Sequence, residues 1–378
     1  MKIFFFTDPH IGLHRAANTT MKSRELLREH LYDHTFGLVN RVAEEQVAKE
    51  EHFGIACLGD LFDTYSNEER YLKQGADILK MCDIMLAGNH DMSNREGVIG
   101  SMELLEDLGV GSNNQRWAEN SIVSHGDYGI IRDVPSKTIF FSVPHQMNHG
   151  LFEEALISVA NFTDFNPEYK DWSRLLLLHC NVGEPHDHDV RPEMTSLWLL
   201  PEMQKALVER FDYVLVGHEH KPQSYHGGKL LVLGNVYPIG FGEIADRFYY
   251  DYDTETKQIT SHLLADMKKE YLELEVDAIM GEGIDLEVTQ RLVQITGRIK
   301  PQDSAEVARG IKRFWKNNPH LFAVRAQIEM DTGKKAVIEK EGFVPRTLKD
   351  KVSESVQSTP FGRMFDKIVA TMDSDTDD

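Results

Sequence analysis

Four short polar clusters each follow directly on an apolar run: Asp8-Pro9-His10, Gly59-Asp60-Leu61-Phe62-Asp63, Gly88-Asn89-His90-Asp91 and Gly217-His218-Glu219-His220. A single histidine, His179, repeats the placement after Leu175-Leu176-Leu177-Leu178. In open α/β sheets, ligand sites gather beyond the carboxyl ends of the strands, so five such runs would deliver imidazoles, carboxylates and one amide oxygen to one edge. Imidazole with carboxylate suits manganese, iron or zinc, and the lack of thiolate argues against a structural zinc knot. Seven donors are too many for one ion with an open position. They suit two ions about 3.5–4 Å apart, bridged by one carboxylate. Such a pair acidifies a water, aligns it with a phosphorus and neutralises phosphoryl charge. Any one D-x-H or G-H-x-H string arises by chance, and a lone strand-end Asp is often only a turn former. The series of five, each after its own strand, is what points to chemistry.

The elements that must position these residues read as alternating strands and helices. Lys2 to Thr7, Phe53 to Leu58 and Ile84 to Ala87 are short apolar strands. Between them lie a long helical pattern through Leu26, Leu27, Leu31, Val39 and Val42, and a polar helix over roughly residues 67 to 80. That alternation predicts a layered α/β sheet. Further strands are expected at Ile122-Val123, Thr138 to Val143, Leu175 to Leu178, Tyr213 to Val216, Leu230 to Leu233 and Phe248 to Tyr252. The pattern restarts near residue 265, with strands at Tyr271 to Val276, Arg291 to Ile299 and Phe322 to Met330 and a helix at Ala305 to Lys316. That predicts a small α+β cap domain. From Thr347 the chain is helical and polar, and after Pro360 the residues Phe361, Met364, Phe365, Ile368, Val369 and Met372 recur at helical spacing.

Composition limits the rest. No apolar run approaches the ~18 residues a membrane span needs. Ile3 to Phe6 is interrupted at once by Asp8 and His10, unlike a signal peptide, so a cytoplasmic location is expected. Cys57, Cys82 and Cys180 are too few and scattered for a disulfide framework and read as small buried hydrophobes. The net charge of −20 sets the chain against nucleic acid as a partner, unless bound cations or a basic partner offset it. Part of the excess sits in the acidic run Asp373-Ser374-Asp375-Thr376-Asp377-Asp378.

The ordered motifs D-x-H, G-D-x-x-D, G-N-H-D, a strand-end His and G-H-x-H resemble those of the calcineurin-like metallophosphoesterases over roughly residues 1 to 250. The resemblance implies one metal on Asp8, His10 and His220, a second on Asn89, His179 and His218, and Asp60 bridging both. His90 would face the substrate, stabilising phosphoryl oxygens or protonating the leaving oxygen, with Asp63 orienting it. Within that superfamily the chain looks most like the SbcD-type nucleases, including the phage recombination endonuclease subunit. Asp-Pro-His-Ile-Gly at 8–12, Gly-Asp-Leu-Phe-Asp at 59–63, Gly-His-Glu-His-Lys-Pro-Gln at 217–223 and the stretch from Leu233 to Thr254 carry that likeness. Two departures stand out. Many relatives place a His where Asp63 stands, and their G-S/T-P loop reads Gly234-Asn235-Val236 here.

The resemblance therefore implies an α/β, layered β-sandwich metallophosphoesterase core flanked by helices over 1–264. A small α+β cap over 265–340, with DNA contact, and a C-terminal helical partner-binding segment over 341–378 would follow. The implied activity is a manganese-dependent DNA exonuclease, with endonuclease action as a second mode, in repair or recombination. Magnesium, iron or zinc are alternatives for the two ions. The implied partners are DNA, a coiled-coil SbcC-type ATPase and a second copy of the chain, without a membrane. A small-molecule or cyclic-nucleotide phosphodiesterase is the alternative, which the motifs fit equally and the charge fits better. A catalytically dead scaffold would show degenerate ligand motifs, and these are intact. Gly-Asp-Leu-Phe-Asp also lacks the Arg-Gly that follows it in protein-serine/threonine phosphatases.

Other polar residues read as structural. Pro185-His186-Asp187-His188-Asp189 is expected to be a solvated loop, and His125 and His145 satisfied histidines away from the ligand motifs. Asp91 and Glu219 read as supports for the imidazoles or as solvent-facing residues, rather than as ligands. Arg291, Arg298, Lys300, Lys312, Arg313 and Lys316 are either a solvated face or a DNA-backbone contact.

Overall fold

The computed structural model describes residues 1–14, 16–49, 51–93, 98–110, 121–123, 128–185, 196–281 and 284–331. His125, the His186–Asp189 cluster and the 341–378 segment lie outside the described residues. Two six-stranded sheets form the body. The strands are β1 (Lys2–Phe6), β2 (Phe53–Cys57), β3 (Ile84–Leu86), β4 (Ser121–Val123), β5 (Gly129–Asp133), β6 (Thr138–Val143), β7 (Ser173–His179), β8 (Asn181–Val182) and β9 (Trp198–Leu199). They continue with β10 (Tyr213–Gly217), β11 (Gln223–Tyr225), β12 (Leu230–Val232), β13 (Arg247–Asp253) and β14 (Gln258–Ala265). One sheet runs β14-β13-β1-β2-β3-β4 and the other β11-β12-β10-β7-β6-β5.

Why the strands read as unbroken apolar runs is clear from which way their residues face. Ile3 and Phe5 of β1, Ala56 of β2, and Leu175 and Leu177 of β7 meet in the core between the sheets. Their alternates Phe4, Phe6, Ile55 and Cys57 pack outward on one helical layer, and Leu176, Leu178, Val214 and Val216 on the other. Strands buried on both faces have no polar face to show, and β1 through β4 run parallel, as do β6, β7 and β10. The two sheets thus sit between two layers of helices. Cys57, Cys82 and Cys180 are buried within these cores and form no disulfide.

The outer layers are α1 (Met21–Ala48), α2 (Glu69–Leu79) and α3 (Ser101–Asp107) on one side, with α4 (His149–Phe165) and α5 (Pro201–Arg210) on the other. Helix α1 starts at Thr20, whose side chain accepts from the Ser23 N–H while the Ser23 hydroxyl takes the Thr20 N–H. It buries Leu27, Leu31, Leu38, Val39 and Val42 along one stripe. Each such side chain contributes about 1.5–3 kcal/mol relative to exposure. No helix among the described residues is long and apolar enough to cross a membrane.

Beyond β14 come α6 (Met267–Glu270), β15 (Tyr271–Glu275), α7 (Val276–Met280), β16 (Leu292–Ile299), α8 (Ser304–Asn317) and β17 (Ala323–Met330). Val276 opens a short helix where the sequence reading continued a strand. Strands β15, β16 and β17 form a parallel sheet around Val293, Ile295, Val307, Phe314 and Val324. Its lower edge, Leu292, Phe322 and Ala323, packs into the same core as α1, and residues 1–330 make one compact unit. Three of the six basic residues singled out here are engaged within the chain. Arg291 lies over the Phe322 ring and 3.6 Å from Glu270, and Arg298 pairs with Glu329 at 2.7 Å. Arg313 donates to the carbonyls of Ile279, Met280 and Gly281 at the end of α7.

Where α1 meets this sheet, His30 packs on Tyr237 and Phe322, and His34 on His30 and Tyr237. Burial pushes His30 down to about 3 and His34 down to about 4, and the neighbouring Arg291 adds to both. Both rings are therefore neutral when folded but protonate near 6.5 when unfolded. Their contribution to stability is complete above about pH 6.5 and is lost as pH falls toward 4 and then 3. We expect the melting temperature to fall between pH 7 and pH 4.5, and His30→Phe to flatten that fall. A His30→Phe profile parallel to wild type would contradict this.

Candidate metal centre

The polar clusters all sit at carboxyl ends of central strands. β1 leads to Asp8 and His10, β2 to Asp60, β3 to Asn89, β7 ends on His179 and β10 leads to His218 and His220. β7 and β10 pair in register, Gly217 opposite His179. Main-chain bonds Asp8 N–Gly59 O and His10 N–Asp60 O lock the first two clusters together. Asp8, His10, Asp60 and His218 have φ of 53°, 48°, 47° and 87°. Left-handed backbone is uncommon outside glycine, though Asp and His tolerate it better than most, and such strain collects at functional sites.

Three donor groups result, each with ligand atoms within 4.8 Å of one another: Asp8 with His10 and His220, Asp60 with His179 and His218, and His10 with Asp63 and His90. In the first, Asp8 Oδ2 is held by the Thr7 hydroxyl and the His218 N–H, while Oδ1 is buried without a hydrogen-bond partner. The His10 and His220 Nε2 atoms lie 2.9 Å apart. Their Nδ1 atoms face Asp63 at 3.3 Å and Glu243 at 2.8 Å. Each Nδ1 facing a carboxylate carries the proton, so neutral rings would point two Nε2 lone pairs at each other. A cation between them, whether a proton or a metal ion, relieves that.

Asp60 is split between the sets. Oδ1 accepts from the His90 N–H at 2.9 Å, while Oδ2 lies 3.3 Å from His179 Nε2 and 4.0 Å from His10 Nε2. His179 donates Nδ1–H to the Leu58 carbonyl at 2.7 Å, which leaves Nε2 as the donor atom, 3.3 Å from Asn89 Oδ1. The His218 Nδ1 is buried and unpaired. These residues fit two divalent ions, with Asp60 between them. Charge says the same. Burial works against protonation of His10 and His179, yet the Asp63 carboxylate facing Nδ1 and the charges of Asp60 and Asp8 hold His10 at about 9, and Asp60 chiefly holds His179 at about 9. The carboxylate nest attracts cations, and ligation requires those protons to leave.

Two motif glycines are required by close approach. A Cβ on Gly59, whose φ is +106°, would lie 2.1 Å from His179 Nδ1. One on Gly88 would lie 2.0 Å from Asp60 Oδ1. Gly88→Ala should therefore displace the Asp60 carboxylate and cut the rate by about 100-fold or more. Steady-state turnover with circular dichroism checks this, and a folded, fully active variant would contradict it.

The structure corrects two expectations. Asp63 does not orient His90 through its carboxylate, which instead faces His10 Nδ1 and accepts from the His14 N–H at 2.6 Å. His90 Nδ1 donates to the Asp63 main-chain carbonyl at 2.7 Å, because the bend after β2 turns that carbonyl toward the cleft. His145 is not remote. It follows β6, which pairs with β7, so it reaches the site beside Asn89 and His218. Its Nδ1 is buried without a partner, and burial with the nearby His179 pushes it down to about 3. The signal was present, since His145 also follows an apolar strand. Asp91 accepts from the Leu61, Phe62 and Gly88 N–H groups, stapling two motifs together. Glu219 accepts from Val182 N and Gln223 Nε2, facing away from both sets. Glu243 carries no sequence signal because it lies in a loop without periodicity, and Asn235 stands out in the sequence only as a loop departure.

Carboxylates and imidazoles set for two cations, with an imidazole facing an open cleft, define a metal-dependent phosphoester hydrolase. Residues 1–222 match the calcineurin-like phosphoesterases, and the chain belongs to that family, whose members use a dinuclear metal centre. Solved structures similar to it include an archaeal phosphodiesterase, 14% identical, covering 70% of this chain and 99% of that one with a TM-score of 0.31. A dimetal phosphatase from Danio rerio is 12% identical, covering 70% and 97%, with a TM-score of 0.42. A 5′-nucleotidase, so assigned provisionally, from Staphylococcus aureus is 12% identical, covering 69% and 52%, with a TM-score of 0.39.

Proposed function

We propose that the chain is a two-metal DNA nuclease, chiefly an exonuclease, of the SbcD type. The observation that carries this reading is a pair of cavities meeting at Asn89. One, of about 660 Å³, opens on His10, His90 and His220 and is walled by Tyr65, Met92 and Ile239. The other, of about 190 Å³, opens on His218 and is lined by His145 and Asn181. A phosphodiester has two arms leaving one phosphorus, and two chambers flanking the metal sets suit it better than a monoester, which needs one.

Asp8, His10 and His220 would hold one ion, Asn89, His179 and His218 the other, and Asp60 both. The chemistry such cations supply is acidification of the attacking water and neutralisation of phosphoryl charge. The chain's own groups do the rest. The Asp63 carbonyl fixes His90 through Nδ1–H, which leaves Nε2 for the cleft. In its cationic form His90 delivers the Nε2 proton to the leaving oxygen. Manganese is the ion we favour. An SbcC-type ATPase is the proposed partner of the 341–378 segment, with a cytoplasmic location and a second copy of the chain as further parts of the reading.

One observation favours the small-molecule alternative: among the described residues, none lining either cavity is Lys or Arg. With the −20 charge, that leaves little to hold a long polyanion outside the metal sets. The two readings separate in one assay. The full chain with manganese is given linear duplex DNA, single-stranded DNA, a cyclic nucleotide and a mononucleotide. Shortened DNA with inert small nucleotides is expected. Turnover of a cyclic nucleotide or mononucleotide while every form of DNA stays intact, even with the ATPase added, would overturn the nuclease reading.

A further inference from the structure

We infer that Glu243 is a positioning residue that fixes His220 and thereby sets the affinity of the Asp8, His10 and His220 metal set. Glu243 ends a short 3-10 turn between β12 and β13, and nothing in the ligand motifs points to it. Its Oε1 accepts from His220 Nδ1 at 2.8 Å. A carboxylate only accepts, so the proton is on Nδ1, and Nε2 presents its lone pair to His10 and Asp8, 2.9 Å and 4.0 Å away. The carboxylate is itself held. Oε2 accepts from the Asn235 side chain and the Ile239 N–H, both at 3.1 Å. Asn235 in turn donates its main-chain N–H to the His220 carbonyl at 3.3 Å, closing a ring of His220, Glu243 and Asn235. Asn235 is fully buried, which gives a purpose to the residue that departs from the G-S/T-P loop.

Beneath the ring lies Arg247, which is also fully buried. Its Nη2 donates to the Glu243 carbonyl and lies 4.0 Å from Oε2, while Nε and Nη1 have no hydrogen-bond partner. A buried guanidinium with two unpaired donors is costly unless a carboxylate stands close by, so Arg247 ties Glu243 in place through its main-chain carbonyl. A carboxylate behind a ligating imidazole fixes its tautomer and orientation and raises its basicity, and its loss typically costs about 10–100-fold in metal affinity. The other metal set lacks such backing. His179 leans on a neutral carbonyl, and His218 Nδ1 has no partner.

The inference rests on the metal centre and is independent of the substrate. The test is manganese binding to the full chain, by calorimetry and electron paramagnetic resonance, comparing wild type with Glu243→Gln and, as a control on the other set, His218→Ala. We expect Glu243→Gln to weaken one of two ions by about 10–100-fold, leave the other unchanged and barely move the melting temperature of the metal-free chain. His218→Ala should weaken the other ion. Unchanged affinity in Glu243→Gln, or equal loss of both ions with a large fall in melting temperature, would overturn the assignment. Should Glu243→Gln misfold, Glu243→Asp provides the same comparison, with an intermediate loss confined to one ion expected and none contradicting. Wild type that binds no manganese would overturn the centre and the inference together.

Discussion

Asp60→Asn is expected to lower phosphodiester cleavage by roughly a thousandfold or more, the scale on which loss of a central charge-stabilising group acts. The Asp60 carboxylate reaches both donor sets, with Oδ2 3.3 Å from His179 Nε2 and 4.0 Å from His10 Nε2. Asparagine keeps the shape, and its oxygen still accepts from the His90 N–H as Oδ1 does now. Its amide hydrogens would then point at the imidazole lone pairs where a shared cation belongs. Turnover of bis-p-nitrophenyl phosphate, with metal content per chain by mass spectrometry, checks this. Wild type should retain two ions and the variant fewer. Two retained ions with near-normal turnover would show that Asp60 is not the bridge.

The second large effect belongs to His90. Its ring is edge-on to His10, with centroids 5.1 Å apart, and its Nδ1 is committed to the Asp63 carbonyl. Nε2 is thus the atom free to meet substrate in the larger cavity. A positioned general acid is worth about 10²–10⁴ in rate when the leaving group needs a proton. His90→Asn should therefore lose that much on a nucleotide leaving group. On bis-p-nitrophenyl phosphate the loss should be below about tenfold, because nitrophenolate departs without a proton. Equal losses on both substrates would assign His90 to holding phosphoryl oxygens instead.

Much of the fold was legible in the sequence because its strands are buried on both faces and so carry apolar runs, as in Phe53–Cys57 and in Leu175 to Leu178. A polar residue straight after such a run can only emerge at the sheet edge, which is why the seven candidate donors and His90 could be picked out and why the structure brings them to one edge. Three features resisted. The direction of Asp63 depends on which way a single peptide turns after β2, and residue type does not encode that. His145 was set aside because it lacks a second donor nearby in sequence, although pairing of β6 with β7 brings it to His218. Glu243 reaches His220 across a 23-residue separation through a loop with neither period nor motif. Arg313 shows the converse limit, since a basic residue on a helix reads as surface yet serves the last carbonyls of α7.

An anomalous difference map from crystals of the full chain grown with manganese decides whether the two donor sets hold two ions. The account predicts two peaks, one within bonding distance of Asp8, His10 and His220, the other of Asn89, His179 and His218, both touching Asp60. A single peak, or peaks seated on other residues while these side chains stay empty-handed at full manganese loading, would contradict it.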